Sequence, residues 1–120
     1  MALIAPHIAN GIVIMINCKL INQLAKQANE KIKEGSFKIL NLLHHITAGM
    51  KSITTEMQYI ANDELRQACG GAGYTLASGI AYHFLANSPL PTFEGVNVLM
   101  LQQSARPLLK VIGDIEKGKK

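Results

Sequence analysis

Two long stretches of this sequence repeat their apolar residues every three or four positions, and each stretch runs into a glycine. In the first, Ile8, Ile12, Met15, Ile16, Leu20, Ile21, Leu24, Ala28 and Ile32 recur at that spacing, which is the repeat of one helix face. Gly35 follows, after Lys31 and Lys33, where a helix C-terminus favours cations and a left-handed stop residue. In the second, Leu40, Leu43, Ile46, Met50, Ile53, Met57, Ile60, Ala61 and Leu65 continue the repeat until Gly70-Gly71-Ala72-Gly73. Ser36 is placed to cap that second helix, and Gly49 marks a possible break within it. A third periodic stretch starts near Glu94 or Gly95 and runs to about Glu116, with Val98, Leu101, Gln102, Ala105, Leu108, Leu109 and Ile112 on or near one face. Pro107 lies inside it and predicts a kink or a break. No segment alternates with period two. The expectation is an all-α, antiparallel helical bundle over residues 1–120 as a single domain, with helices at about 6–34, 36–69 and 95–116. One short helix is expected around Ile80 to Leu85 in the connection.

Composition agrees with helix packing. Hydrophobic residues make up 48%, yet there are three Tyr, three Phe and no Trp, which suits a helical core better than a β-sandwich. The formal charge of +4 comes from local groups: Lys26, Lys31, Lys33 and Lys38 around one turn, and Lys117, Lys119 and Lys120 at the end. Without interleaved aromatics or a motif, these read as solvated helix ends, so no nucleic-acid partner is expected. Cys18 and Cys69 read as buried small apolar residues with free thiols.

The segment Met1 to Cys18 is apolar, but Pro6, His7, Asn10, Gly11 and Asn17 interrupt it, so a core helix is expected and no membrane span. A basic leader region and a cleavage site are absent from it, and a Ser-Lys-Leu-type address is absent from the last residues. Ile4, Ile8, Ile12, Val13, Ile14, Met15 and Ile16 occupy more than one side of this helix. Three helices cannot bury every side of one of their number. Residues Ile4 to Ile16 are therefore expected to contact another protein chain, either a copy of this one or a different subunit.

Three features could carry chemistry. The glycine run follows a helix rather than a strand, which excludes a dinucleotide fingerprint. One glycine would end the helix, and three within four residues imply that backbone approaches something closely, a ligand or another chain. Glu94 follows Pro91-Thr92-Phe93. It reads as a first-turn partner of the helix dipole or as a positioned carboxylate base. The histidines lack metal-ligand spacing: His44 and His45 are adjacent and so point to different faces, and His7 and His83 have no nearby acidic or Cys partner. No metal site is expected.

Four runs taken in order resemble the C-terminal helical region of the acyl-CoA oxidases: Leu42-Leu43-His44-His45-Ile46-Thr47-Ala48-Gly49-Met50-Lys51-Ser52; Arg66-Gln67-Ala68-Cys69-Gly70-Gly71-Ala72-Gly73-Tyr74; Ser88-Pro89 with Pro91-Thr92-Phe93-Glu94-Gly95; and Gln102-Gln103-Ser104-Ala105-Arg106. The resemblance spans roughly Leu20 to Lys110. It implies an FAD-dependent oxidase that converts acyl-CoA to trans-2-enoyl-CoA in fatty-acid β-oxidation. It implies that Gln67, Gly70 and Gly71 contact the adenine-diphosphate part of FAD across a subunit boundary. Glu94 would be the base that takes the α-proton of the acyl-CoA, and Gly95 would let the helix start approach flavin and thioester. A peroxisomal location follows from oxidases of this kind, and a mitochondrial one from the related dehydrogenases.

The sequence also departs from the family pattern. Val96 and Val98 stand where polar residues are usual, Pro107 where an aromatic is, and Ala81 where the oxidases often have Pro. The 120 residues hold neither the N-terminal helical domain nor the middle β-domain that enclose cofactor and acyl chain in the family. The chain alone is therefore expected to be inactive and to work within a larger assembly. The alternatives are a repurposed non-catalytic structural subunit of a multi-protein complex and a free-standing acyl-CoA or lipid-binding module.

Overall fold

A computed structural model describes residues 3–118; Met1, Ala2, Lys119 and Lys120, and with them part of the basic C-terminal cluster, lie outside the described residues. Among the described residues there are four α-helices: α1 (Ala5–Lys33), α2 (Lys38–Ala68), α3 (Ile80–Asn87) and α4 (Asn97–Glu116). Single 3-10 turns at Gly70–Gly73 and Leu76–Ser78 link α2 to α3. The described residues contain no strand, and the helix boundaries lie within two residues of those expected from sequence.

The helix ends follow from backbone chemistry. Gly35, at φ +81°, ends α1. Its N–H donates to the Ile32 carbonyl at 2.9 Å and the Ser36 N–H donates to the Lys31 carbonyl at 2.9 Å. This is the paired closure of a Schellman motif, which satisfies carbonyls the helix leaves open. Ser36 does not cap α2, because the capping position falls one residue later, on Phe37, which makes no side-chain bond. Helix α2 runs unbroken through Gly49. A Cβ there would lie 2.8 Å from Ser104 Oγ, so the glycine admits α4 rather than breaking α2. Helix α4 likewise continues through Pro107 instead of breaking there; the missing proline N–H leaves only the Gln103 carbonyl without its helical donor.

Helix α2 is the hub. It packs against α1, α3 and α4, while α1 and α4 do not touch each other. The chain consequently has almost no core of its own. Its buried apolar side chains are Ala28 and Ala48. It exposes 8772 Å², whereas a compact monomer of 13.0 kDa would expose about 6,300 Å². The radius of gyration is 18.7 Å, against about 14 Å for a compact 120-residue chain.

The seams show why. The α1 residues that turn toward α2 are His7, Asn10, Ile14, Asn17, Ile21, Leu24 and Ala28, a narrow stripe of alternating threes and fours. Ile8, Ile12, Met15, Ile16 and Leu20 lie outside it and stay exposed. The core helix expected from sequence is thus not buried by this chain. Its length and apolar content would suffice to cross a membrane, although His7, Asn10 and Asn17 sit on its packed seam. Helix α4 behaves the same way. Asn97, Met100, Gln103, Ser104 and Pro107 face α2, and Leu101, Leu108, Leu109, Ile112 and Ile115 are exposed. Cys18 and Cys69 are exposed free thiols, contrary to the expected burial. Cys18 lies on the uncovered side of α1, and Cys69 at the open end of α2.

Candidate active site and its relatives

Glu94 does not stand in the first turn of α4. The helix begins at Asn97, with Val96 as its N-cap, so the dipole-partner reading fails on position. Among the described residues Glu94 is the only non-glycine with positive φ, at 56°. The left-handed region costs an ordinary side chain about 1–3 kcal/mol and persists only where surrounding structure imposes it. Its side chain is exposed, and its carboxylate has no hydrogen-bond or ion-pair partner among the described residues. Gly95 follows at φ +104°, where a Cβ would lie 2.6 Å from Met100 Cε. A glycine is therefore required there by the fold itself.

The structure that imposes this turn is polar and comes from α2. Lys51 Nζ donates to the Gly95 carbonyl at 2.7 Å and to Asn97 Oδ1 at 3.0 Å. Thr55 Oγ1 donates to the same Oδ1 at 3.0 Å. Asn97 Nδ2 donates to the Ser52 carbonyl at 3.2 Å and to Glu56 Oε2 at 3.1 Å. Asn97 Nδ2 thus uses both its donors, while Oδ1 accepts from Lys51 and shares the single Thr55 proton with the Lys51 carbonyl, 2.8 Å from Thr55 Oγ1. Its backbone N–H closes the loop onto the Pro91 carbonyl at 2.9 Å. Sequence reading missed this network. The available signal was Lys51, Ser52, Thr55 and Glu56 as two adjacent i, i+4 pairs on one stretch of the helix.

The glycine turn lies elsewhere. From Thr55, beside the Glu94 loop, to Ala68 is thirteen residues, or roughly 20 Å along α2 at 1.5 Å per residue. One chain therefore does not bring Glu94 and Gly95 together with Gly70 and Gly71. Gly70 ends α2 at φ +56°, with open space where a side chain would be. Gly71 is similarly open, its nearest neighbour being the Tyr74 hydroxyl at 3.8 Å. Gly73 is different: a Cβ would meet the Arg66 carbonyl oxygen at 2.0 Å. The close approach inferred from three glycines is therefore, at Gly73, an approach to the end of its own helix. Beside it a cleft of about 350 Å³ is lined by Arg66, Gly73, Tyr74, Leu76, Phe84 and Leu85. The Arg66 guanidinium lies 5.3 Å from the Phe84 ring centroid, within cation–π range.

Gln67 is exposed, and its Nε2 donates to Asp63 Oδ2 at 2.8 Å, leaving its carbonyl oxygen as the free group. Arg66 bonds the other carboxylate oxygen of Asp63. The Arg66 hydrogen bonds, reinforced by that of Gln67, hold the Asp63 carboxyl below the usual carboxylate range against opposing desolvation.

The histidines are structural. His7 Nε2 pairs with Glu64 Oε2 at 2.9 Å, a partner that sequence distance concealed. His44 and His45 both reach α4 instead of diverging. His44 Nε2 meets Gln103 Oε1 at 3.1 Å, and His45 Nδ1 bonds the Ser104 carbonyl. A carbonyl only accepts, so His45 carries its proton on Nδ1.

Residues 2–109 match the model of the "Acyl-CoA oxidase, C-alpha1 domain" family. Peroxisomal acyl-coenzyme A oxidase 1 of Mus musculus is 36% identical over 95% of this chain and 17% of its own length. The Rattus norvegicus protein of the same name is 42% identical over the same shares. Among solved structures, acyl-CoA oxidase-1 of Caenorhabditis elegans, complexed with FAD and ATP, aligns with TM-score 0.79 and 31% identity over 86% of this chain and 16% of that one. Arabidopsis thaliana acyl-CoA oxidase 1 aligns with TM-score 0.75 and 36% identity, covering 82% of this chain and 15% of that one. The chain thus spans about a sixth of the length of these relatives. The two curated relatives are named as peroxisomal, which favours the peroxisome over the mitochondrial alternative. This chain belongs to the acyl-CoA oxidase family, as its C-alpha1 helical domain.

Proposed function

We propose that this domain supplies one wall and the catalytic base of an acyl-CoA oxidase site, in the peroxisome, and that it does so only within a larger assembly. The observation that carries the reading is Glu94. A free carboxylate is held in an unfavourable backbone conformation by a fully bonded network, and strain of that kind gathers at functional positions. A solvated surface residue would need no such support.

In this reading Glu94 takes the α-proton of the acyl-CoA thioester onto a carboxylate oxygen, and the product is the trans-2-enoyl-CoA. Bound FAD would supply the acceptor for the β-hydride and pass the electrons to dioxygen as hydrogen peroxide. The residues fit such a group at two places. Gly70 and Gly71 leave open backbone at the end of α2, and the neighbouring cleft offers Tyr74, Phe84 and the Arg66 stem as apolar walls for an adenine. Gln67 offers its carbonyl oxygen there. Gly95 brings backbone to the other end of the site, and its carbonyl is already bound by Lys51. The roughly 20 Å between the two ends within one chain supports a site shared across a subunit boundary, with Glu94 from one copy and Gly70 and Gly71 from another. The exposed face from Ile4 to Ile16 is the surface proposed to bind a second protein chain.

The isolated chain is the first test. It should hold no stoichiometric FAD and release no peroxide with a medium- or long-chain acyl-CoA, because a single wall neither excludes water nor positions a substrate. Added to the remaining domains of a relative lacking its own C-alpha1 segment, it should restore flavin absorbance and peroxide release together. Turnover by the pure chain would overturn the proposal.

A further inference from the structure

Lys51 is a half-buried cation that finds no carboxylate. Its three donors are offered to two neutral acceptors, the Gly95 carbonyl and Asn97 Oδ1, and no ion pair involves it among the described residues. Its ammonium is partly withdrawn from water without a counter-ion, and both of its hydrogen bonds converge on the turn after Glu94. Glu56, five residues along, is bonded to the other end of the Asn97 amide. Asn97 therefore stands between a cation and an anion, with its carbonyl toward the first and its amino group toward the second. This arrangement fixes which way the amide lies, and through the Gly95 carbonyl it fixes the Gly95–Val96 peptide, one residue beyond Glu94.

We propose that Lys51 is a positioning residue for Glu94: by clamping the Gly95 carbonyl against Asn97 it holds the Glu94 backbone left-handed and its carboxylate outward. The proposal rests on the reading of Glu94 as the base. Removing the clamp lets residue 94 relax toward the ordinary φ region, and the carboxylate swings with it. Lys51 itself faces Gly95 and Asn97, so its loss falls on the geometry of the proton transfer more than on acyl-chain binding. Displacements of the order of 1 Å cost about a hundredfold in rate.

The test uses the flavin-loaded oxidase that contains this domain. Lys51→Met keeps the length of the side chain and removes the donors; Lys51→Arg restores charge and donors. Lys51→Met should lower kcat about a hundredfold with KM changed less than about threefold, and Lys51→Arg should recover at least about a third of the lost factor on a logarithmic scale. A second readout is independent of turnover. The amide of Asn97, bonded to the Pro91 carbonyl, should exchange its hydrogen at least about tenfold faster in Lys51→Met. If that variant does not assemble, Lys51→Gln, which keeps a shorter donor, is read in the same way. Unchanged exchange and a kcat within about twofold of wild type would overturn the proposal. Glu94→Gln separates the two failures. If Glu94→Gln stays within about tenfold of wild type, the base reading falls and the exchange result alone decides the clamp. If Glu94→Gln is inactive and Lys51→Met is normal, the clamp falls and the base stands.

Discussion

Ser52 and Asn97 exchange hydrogen bonds across the α2–α4 seam: Ser52 Oγ donates to the Asn97 carbonyl at 3.2 Å, and Asn97 Nδ2 donates to the Ser52 carbonyl at 3.2 Å. Both residues are buried. In a chain whose buried apolar side chains are two alanines, this polar pair does part of the work a hydrophobic core does elsewhere, and it fixes the register of α4 on α2.

Asn97→Ala should therefore be destabilising out of proportion to its size. It removes the partner shared by Lys51, Thr55, the Ser52 carbonyl and Glu56, although Lys51 keeps the Gly95 carbonyl and Thr55 the Lys51 carbonyl. The expected loss is roughly 3 kcal/mol, since each buried group left unpaired costs about 1–3 kcal/mol and some regain water. Denaturant unfolding of the assembled protein measures it, and a loss below about 0.5 kcal/mol would show that the network does not hold the seam.

The two kinds of glycine should separate on mutation. Gly73→Ala drives a methyl into the Arg66 carbonyl and should disrupt the end of α2, lowering the melting temperature. Gly71→Ala meets open space, so the fold should keep its melting temperature while the assembled oxidase loses flavin. Flavin content per folded chain distinguishes them. Loss of flavin from Gly73→Ala alone would move the cofactor contact away from Gly71.

Legibility from sequence differed between elements for physical reasons. Helix existence and ends were readable, because periodicity and Gly35 and Gly70 act locally. Which face packs was not. The spacing of Ile8, Ile12, Ile16 and Leu20 marks one helix face, yet the seam on α2 runs through His7, Asn10, Ile14 and Asn17. A stripe marks what must be covered and does not say whether this chain covers it. Glu94 and the glycine turn stood out through the four family runs. The clamp was not, since Lys51 and Gly95 are 44 residues apart and a lysine on a helix ordinarily reads as solvated.

The outward stripe leads to a prediction about association. Ile8→Lys, Ile12→Lys and Ile16→Lys together change exposed positions and leave the α1–α2 seam untouched. Helix content of the chain should persist, and its sedimentation coefficient should fall to that of a monomer. An unaltered sedimentation profile would place the interface on another surface, such as the exposed Leu101, Leu108 and Ile112 of α4.

Asp63 gives a pH dependence. Its folded carboxyl titrates below its unfolded value, so its contribution to stability is present above the unfolded pKa and is lost as pH falls through the folded one. The last turn of α2 should therefore loosen on acidification below the ordinary carboxylate range, and Asp63→Asn should remove that part of the dependence. Amide exchange of residues 66–73 between pH 5 and pH 2, roughly the window in which paired carboxylates protonate, is the measurement. Equal profiles in both proteins would contradict it.

Glu94 acting as the base is tested by the rate of flavin reduction by acyl-CoA in the Glu94→Gln oxidase under anaerobic conditions. The amide keeps the shape of the side chain and removes the proton acceptor. The rate should fall by about three orders of magnitude or more, with flavin content and acyl-CoA binding intact. A rate within about tenfold of wild type would contradict it and leave the strained turn at Glu94 without a catalytic role.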